Sequence, residues 1–325
     1  MAVYTHLGAE DLAALIAHYD VGTLVSAKGI AEGVSNSNWL IETDRARYIL
    51  TMYERRIELD DLPFFLGLLD HLSAAGCPVP RTIHDREGRG WRMLDGKAIA
   101  LIEFLPGVSV DRPTAQQAHA VGMALGQLHI ASASYRGSRA NNLRPRDWQA
   151  LFDRCGADLA RIDPELAGLT ARHMPDLLDR WPQGLPETVI HADLFPDNVL
   201  MLGDRVGGLI DFYFACRDFA AYDVAVTHAA WAFDPTGAHY REEIGQALIA
   251  GYERVRPLSE EERAALPLLA RGAAMRFVAT RAFDWLDTPD DALVTRKDPM
   301  DFARRVQFYA EAGMAPFDLQ GRSGN

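Results

Sequence analysis

One stretch constrains this chain more than any other: His191-Ala192-Asp193-Leu194-Phe195-Pro196-Asp197-Asn198-Val199-Leu200, with Leu209-Ile210-Asp211-Phe212 close behind it. An apolar lead-in, Thr188-Val189-Ile190, delivers His191 and Asp193 to a turn, with Asn198 five residues beyond Asp193 and Asp211 eighteen beyond it. Residues 199–202 and 205–210 read as short strands joined by Gly203-Asp204, a hairpin signal. Such a hairpin folds back and sets Asp211 beside Asn198. Taken singly, an Asp or Asn here is most simply a turn-capping residue. Taken jointly, each has a role that one chemistry requires.

That chemistry is phosphoryl transfer, which needs a carboxylate to orient the attacking hydroxyl and accept its proton, plus oxygen ligands that hold magnesium against the β- and γ-phosphates. Asp193 suits the first role. Asn198 and Asp211 suit the second, because magnesium takes few protein oxygens and leaves its other positions to water and phosphate.

With 325 residues the chain can bury a sizeable core as one large or two modest domains, and 48% hydrophobic with 24% charged residues is ordinary for a soluble globular protein. The net charge of −12, without any Lys/Arg block, argues against a nucleic-acid or anionic membrane partner. An anionic nucleotide must then be received by local features rather than a global field. Cys77, Cys155 and Cys216 are odd in number and far apart, which fits a reducing, cytoplasmic compartment. No basic-then-apolar leader and no run of about 18 apolar residues occurs.

Residues 9–19 carry Leu12, Leu15, Ile16 and Tyr19 at helical spacing. Strands are expected over 24–27, 37–42 and 47–53, with a glycine-bearing loop over 29–36 between the first two. Such a loop can bring backbone N–H groups to phosphate oxygens, although two glycines in a hairpin are more often a plain turn. A helix over 62–75 and a hairpin over 90–104 follow, so the order is helix, three strands, helix, two strands. This is an α+β lobe on an antiparallel sheet. Leu105-Pro106-Gly107 breaks the pattern and helices dominate beyond it, which divides the chain into lobes 1–105 and 106–325. Glu103 and Phe104 are then the linker candidates whose backbone meets the adenine. In the second lobe helices are expected over 114–131, 148–159, 166–181, 219–232, 242–255, 260–286 and 300–312. His129 is expected to be a packed or capping histidine, and Asp223, a carboxylate in an apolar helix, needs a partner and should brace the catalytic loop.

With these residues placed, the chain resembles the aminoglycoside phosphotransferase and choline kinase branch of the protein-kinase-like fold, most closely its homoserine kinase subfamily. The likeness rests on Gly29-Ile30-Ala31-Glu32-Gly33 with Ser35-Asn36-Ser37-Asn38, Tyr48-Ile49-Leu50-Thr51, Leu62-Pro63-Phe64-Phe65, the His191–Leu200 stretch and Ile210-Asp211-Phe212-Tyr213-Phe214-Ala215-Cys216. It implies ATP and Mg2+ as cofactors, Asp193 as base, Asn198 and Asp211 as metal ligands, and Gly29 to Gly33, with Ser35 and Asn36, as the nucleotide-covering segment. His191 is expected to support the loop. One departure stands out. Where most kinase-like folds carry a phosphate-contacting lysine on the third strand, this chain has Thr51. Arg47, Arg55 or Arg56 substitutes for it, or magnesium and backbone donors carry more of the load.

The expected reaction is MgATP-dependent phosphorylation of the L-homoserine hydroxyl, with Tyr213, Arg217 and Asp218 as candidates to receive the zwitterion. An aminoglycoside, choline or another amino alcohol is the rival acceptor. A non-catalytic nucleotide-binding protein is the rival class, disfavoured because Asp193, Asn198 and Asp211 are all present. The sequence leaves the oligomeric state open.

Overall fold

A computed structural model describes residues 7–30, 36–53, 58–288 and 296–319. Helix α1 (Ala9–Ile16) buries Leu12, Leu15 and Ile16 on one stripe. It stops short of the predicted end because Tyr19 leaves the helix to form an antiparallel bridge with Asp85. Strands β1 (Leu24–Ile30), β2 (Asn36–Thr43) and β3 (Arg47–Tyr53) form an antiparallel run, followed by α2 (Leu62–Ala74), β4 (Thr82–Ile83), β5 (Arg92–Leu94) and β6 (Lys97–Glu103). The strand order is β1-β2-β3-β6-β4, with β5 also on β6.

Strand alternation decides which side chains reach the catalytic side of this sheet. On one face Trp39, Ile41, Leu50, Met52, Ile99 and Leu101 bury against α1. On the other, Tyr53, Ala98, Ala100 and Ile102 join α2 and the main core. Thr51 lies between Leu50 and Met52 and so shares the face of Tyr53.

Residues 104–107 lead out of the sheet. At Gly107 φ is +140° and an added Cβ would meet the Cβ of Leu200 at 2.9 Å, so this bend needs glycine. Beyond it, Val108 and Met201 exchange backbone hydrogen bonds of 3.1 and 2.8 Å.

The helical part comprises α3 (Ala115–Ser132), α4 (Pro145–Cys155), α5 (Leu159–Ile162), α6 (Glu165–Arg180), α7 (Ala220–Trp231), α8 (Glu242–Val255), α9 (Glu260–Asp287) and α10 (Met300–Ala312). Set among them are β7 (Glu187–Ile190), the hairpin β8 (Val199–Leu202) and β9 (Arg205–Leu209), and β10 (Cys216–Phe219). Strand β10 pairs antiparallel with β7. The sequence did not announce β10, whose four residues include Arg217 and Asp218. Every residue of α7 is buried, so this helix runs through the core behind the β7 turn.

Candidate active site

Strand β7 ends at Ile190, and the next residues turn sharply. Ala192 has φ +63°, a left-handed conformation that costs a residue with a Cβ about 1–2 kcal/mol. Both of its backbone polar groups are held. Its N–H donates to Asp223 Oδ1 at 2.8 Å, and its carbonyl accepts from the guanidinium of Arg276. Asp223 is fully buried on α7 and also accepts the His191 N–H at 2.7 Å and His129 Nε2 at 3.0 Å. Burial alone would raise its pKa, but the His129 hydrogen bond, nearby imidazole charge and the His191 N–H hold the carboxyl below its ordinary value. His129 in turn meets Tyr252 Oη at 2.8 Å through Nδ1, so α3, α7 and α8 all bear on the turn.

His191 has no exposed surface and ties the turn to the strand that follows. Its Nδ1 accepts the Asp193 N–H at 3.2 Å, so its Nε2 carries the proton donated to the Ile210 carbonyl at 3.0 Å. Burial lowers its pKa, which keeps this neutral tautomer. The hairpin folds back as its sequence suggests: the Ile210 N–H donates to the Asn198 carbonyl at 3.0 Å, setting Asp211 next to Asn198. The Asn198 amide nitrogen donates to the Asp193 carbonyl at 2.8 Å and to its Oδ2 at 3.3 Å. Its Oδ1 is therefore the atom left for a cation.

Asp193 has its pKa raised, first by burial, with Arg276 and His191 pulling the other way. Asp211 also adopts the left-handed region, with φ +65°. It opens onto the cleft, yet the protein crowded around its carboxyl and the charges of Asp193 and Asp197 push its pKa up to about 7. Three carboxylates thus gather on one side, which is the arrangement a cation relieves. Among the described residues no three His, Cys, Asp or Glu side chains are placed to hold a metal by themselves. A magnesium ion here would depend on Asn198, Asp211 and the phosphates of its nucleotide.

Above this floor, Tyr213 joins the two parts of the molecule. Its hydroxyl lies 3.3 Å from that of Tyr53, and its ring meets those of Tyr53 and Phe65 edge-on at 5.6 and 5.8 Å. Thr51 donates to Asn38 Oδ1 at 2.8 Å and supplies no charge. Arg47 sits at the outer end of β3, paired with Glu42 at 3.6 Å, while Arg55 and Arg56 lie outside the described residues.

Other candidates fall elsewhere. Gly29 is not in a loop: β1 continues to Ile30, and Gly29 pairs with Trp39 because β2 offers an unbroken partner. Gly33 and Ser35 lie outside the described residues, and Asn36 opens β2 opposite Tyr53, buried. The Glu103 carboxylate accepts the Arg81 N–H at 3.3 Å at the end of β6, and Phe104 follows it in the connection. Asp218 does not join the cleft. It is buried and engaged by Arg144 at 2.6 and 3.1 Å, Asn141 at 2.6 Å and the Phe219 N–H at 2.8 Å, so its charge is spent inside the helical part. Arg217 on β10 donates its N–H to the Arg139 carbonyl at 2.7 Å.

Arg276 has no motif in the sequence to mark it. It is buried under the turn, 4.8 Å from the Phe277 ring centroid and 5.2 Å from that of Phe214. The signal was a lone cation in the run Ala273-Ala274-Met275-Arg276-Phe277-Val278-Ala279.

Fold and site together are those of a phosphotransferase. The model of the phosphotransferase enzyme family (APH) matches residues 26–258, and the chain belongs to that family. It is 50% identical over 309 residues to a homoserine kinase of Xanthobacter autotrophicus, covering 95% of this chain and 96% of that one. It is 48% identical over 315 residues to a homoserine kinase of Rhizobium etli, covering 97% and 98%. Among solved structures it is similar to an amicoumacin kinase in complex with AMP-PNP, with TM-score 0.73 and 15% identity over 96% of both chains. A microcompartment-associated aminopropanol kinase gives TM-score 0.68 and 18% identity, covering 95% of this chain and 98% of that one. These likenesses carry the two-lobed kinase-like α+β fold.

Proposed function

We propose that the protein transfers the γ-phosphoryl group of ATP to the side-chain hydroxyl of L-homoserine, giving O-phospho-L-homoserine and ADP, a step of threonine biosynthesis. The observation that carries this reading is the near-full-length identity of about one half to homoserine kinases.

The site chemistry supports it. Asp193 orients the acceptor hydroxyl and takes its proton as the oxygen attacks the γ-phosphorus, and the bond to the bridging β-phosphate oxygen breaks with ADP leaving. The raised pKa of Asp193 makes it a better base than an ordinary carboxylate. Asn198 Oδ1 and the Asp211 carboxylate would hold magnesium, which would offset negative charge on the β- and γ-phosphates. Asp223, His191 and Arg276 touch no reactant in this scheme; they hold the turn so that Asp193 needs no reorganisation when charge develops. The nucleotide lies between the sheet of residues 1–105 and the helical lobe of residues 106–325, with adenine at Glu103 and Phe104. Tyr213, two residues after Asp211, and Arg217 stay as candidates to receive the acceptor, and Asp218 is withdrawn from that role by its buried pairing. The three cysteines are free and buried, which suits a reducing cytoplasm, and no described helix is long and apolar enough to cross a membrane.

An acceptor panel tests the assignment. ADP release is measured with L-homoserine, L-serine, choline, ethanolamine and kanamycin, each with MgATP. Homoserine should give the highest kcat/KM; turnover of kanamycin or choline with none of homoserine refutes the proposal.

A further inference from the structure

The turn that carries Asp211, residues 211–215, is held at its near end by bonds already described, the Ile210 N–H on the Asn198 carbonyl and His191 on the Ile210 carbonyl. At its far end, just before β10 takes up its pairing with β7, it is met by Arg139 from the connection between α3 and α4. Arg139 Nη1 donates to the Ala215 carbonyl at 3.3 Å, and the Arg139 carbonyl accepts the Arg217 N–H at 2.7 Å. The next residue, Ala140, forms a parallel bridge with Arg217.

The same guanidinium reaches the helix that belongs to the sheet. Its Nε donates to Asp61 Oδ2 at 2.6 Å, and it lies 5.2 Å from the centroid of the Phe65 ring. Asp61 immediately precedes α2, yet its carboxylate caps none of that helix's N–H groups, so it is available for this pair. Phe65 in turn meets the Tyr213 ring edge-on, and Tyr213 is two residues from Asp211. Helix α2 is itself docked on the helical part along its length. Tyr135 Oη donates to the Phe64 carbonyl at 2.8 Å, and His71 Nε2 lies 2.9 Å from the Ala131 carbonyl. Gly67 makes the close approach possible, since an added Cβ would lie 2.8 Å from the Tyr135 hydroxyl. Unlike the edge strand β1, α2 is a fixed support. Arginine suits the link because its planar fork aims separate N–H donors at a carboxylate and a carbonyl while its face rests on a ring; an ammonium is a single point of charge.

We propose that Arg139 is a positioning residue for the reaction: by tying the Ala215 carbonyl to Asp61 and Phe65 of the sheet's helix, it fixes the turn that carries Asp211 so that this carboxylate meets a magnesium ion without rearrangement. This rests on the kinase reading of the cleft. Arg139 touches neither nucleotide nor acceptor, and no bond is made or broken at it. Its loss should therefore appear as a loss of coupling between magnesium and nucleotide rather than of nucleotide binding itself.

Calorimetry of ADP binding, with Mg2+ and with EDTA, compares wild-type, Arg139→Met, Arg139→Lys and Asp61→Asn full-length proteins. The wild type should bind ADP more tightly with Mg2+; if it does not, the kinase reading and the proposal fall together. Arg139→Met should forfeit on the order of tenfold of the affinity that Mg2+ adds, the worth of one charged hydrogen bond, with affinity in EDTA within about threefold of wild type. In ADP-release assays its half-saturating Mg2+ should rise by a similar factor, and excess Mg2+ should restore most of the rate. Arg139→Lys and Asp61→Asn, the milder changes, should each show a smaller loss of the same kind, and they carry the test if Arg139→Met does not fold. A Mg2+ effect that stays at the wild-type size in the variants overturns the proposal alone. Equal losses with Mg2+ and with EDTA overturn it too, because they make Arg139 a strut for the fold and nothing more. So does a loss in the Arg139 variants that Asp61→Asn does not share, since α2 would then have no part in the positioning.

Discussion

Along the floor of the cleft, between Ile190 and Phe212, backbone groups at the turns are satisfied by buried side chains: Asp223 takes two N–H groups, Arg276 takes a carbonyl, and His191 spans from Asp193 to Ile210. In the roof, β1 is an edge strand with five consecutive exposed residues, 25–29, and its neighbours on one side only are those of β2. The floor is therefore a set of positions fixed in advance of any reactant, strain at Ala192 included. The roof's outer strand, held by β2 alone, is the less restrained of the two. Reacting groups gain from being fixed beforehand, because reorganisation during the reaction adds to the barrier. A cover that must admit and release a nucleotide gains from the opposite.

The sharpest break of this contrast is Asp193→Asn. It keeps the floor's shape and removes the base, so kcat should fall on the order of 10³-fold, while calorimetry should find ATP affinity within about threefold of wild type. An equal loss of ATP affinity would mean that floor and roof are not separable in this way.

Next comes Asp223→Asn, with Val25→Thr on β1 as its counterpart in the roof. The floor substitution removes a buried charge from three donors and should lower unfolding stability by about 3 kcal/mol in urea titrations, with kcat falling too. Val25 is 64% exposed, so its replacement should stay within about 0.5 kcal/mol. Similar losses from both would erase the contrast.

A smaller effect concerns α7, behind the floor. Burial pushes the His228 pKa down from 6.5 to about 3. Above pH 6.5 it is neutral folded and unfolded, so it has no influence. As pH falls from 6.5 towards 3 the unfolded chain takes up a proton that the folded one refuses, so stability declines across that window. At pH 5 the loss should be about 2 kcal/mol, from 1.36 kcal/mol per pH unit. Chemical denaturation at pH 7 and pH 5 measures it, and the His228→Gln protein should show a correspondingly flatter profile. His228 Nδ1 lies 2.7 Å from Tyr309 Oη, so that comparison uses slopes against pH rather than absolute stabilities.

The floor was legible in the sequence because its parts are near neighbours there. His191, Asp193, Asn198 and Asp211 fall within one turn and one hairpin, and Gly203-Asp204 marks the hairpin's tip. Asp223 could be read as a brace since a carboxylate in an apolar helix must find donors. The remainder depended on distant pairings. Asp218 looked like a substrate residue until Asn141 and Arg144, 77 and 74 residues away, were seen to hold it. Arg276 reaches a carbonyl 84 positions away. Gly29 suggests a bend, and nothing local in the sequence shows that Trp39 lies opposite to extend the strand. Strand β10 has too few residues to show a period.

The paired bonds between Val108 and Met201 have a mechanical consequence. They moor the chain to the helical half just past the bend at Gly107, so along the covalent connection a tilt of the sheet falls on residues 104–107. Of the two residues proposed to meet the base, Phe104 belongs to that piece of backbone and Glu103 adjoins it. On the proposed reading, a nucleotide held there would bear on the one covalent joint between sheet and helices.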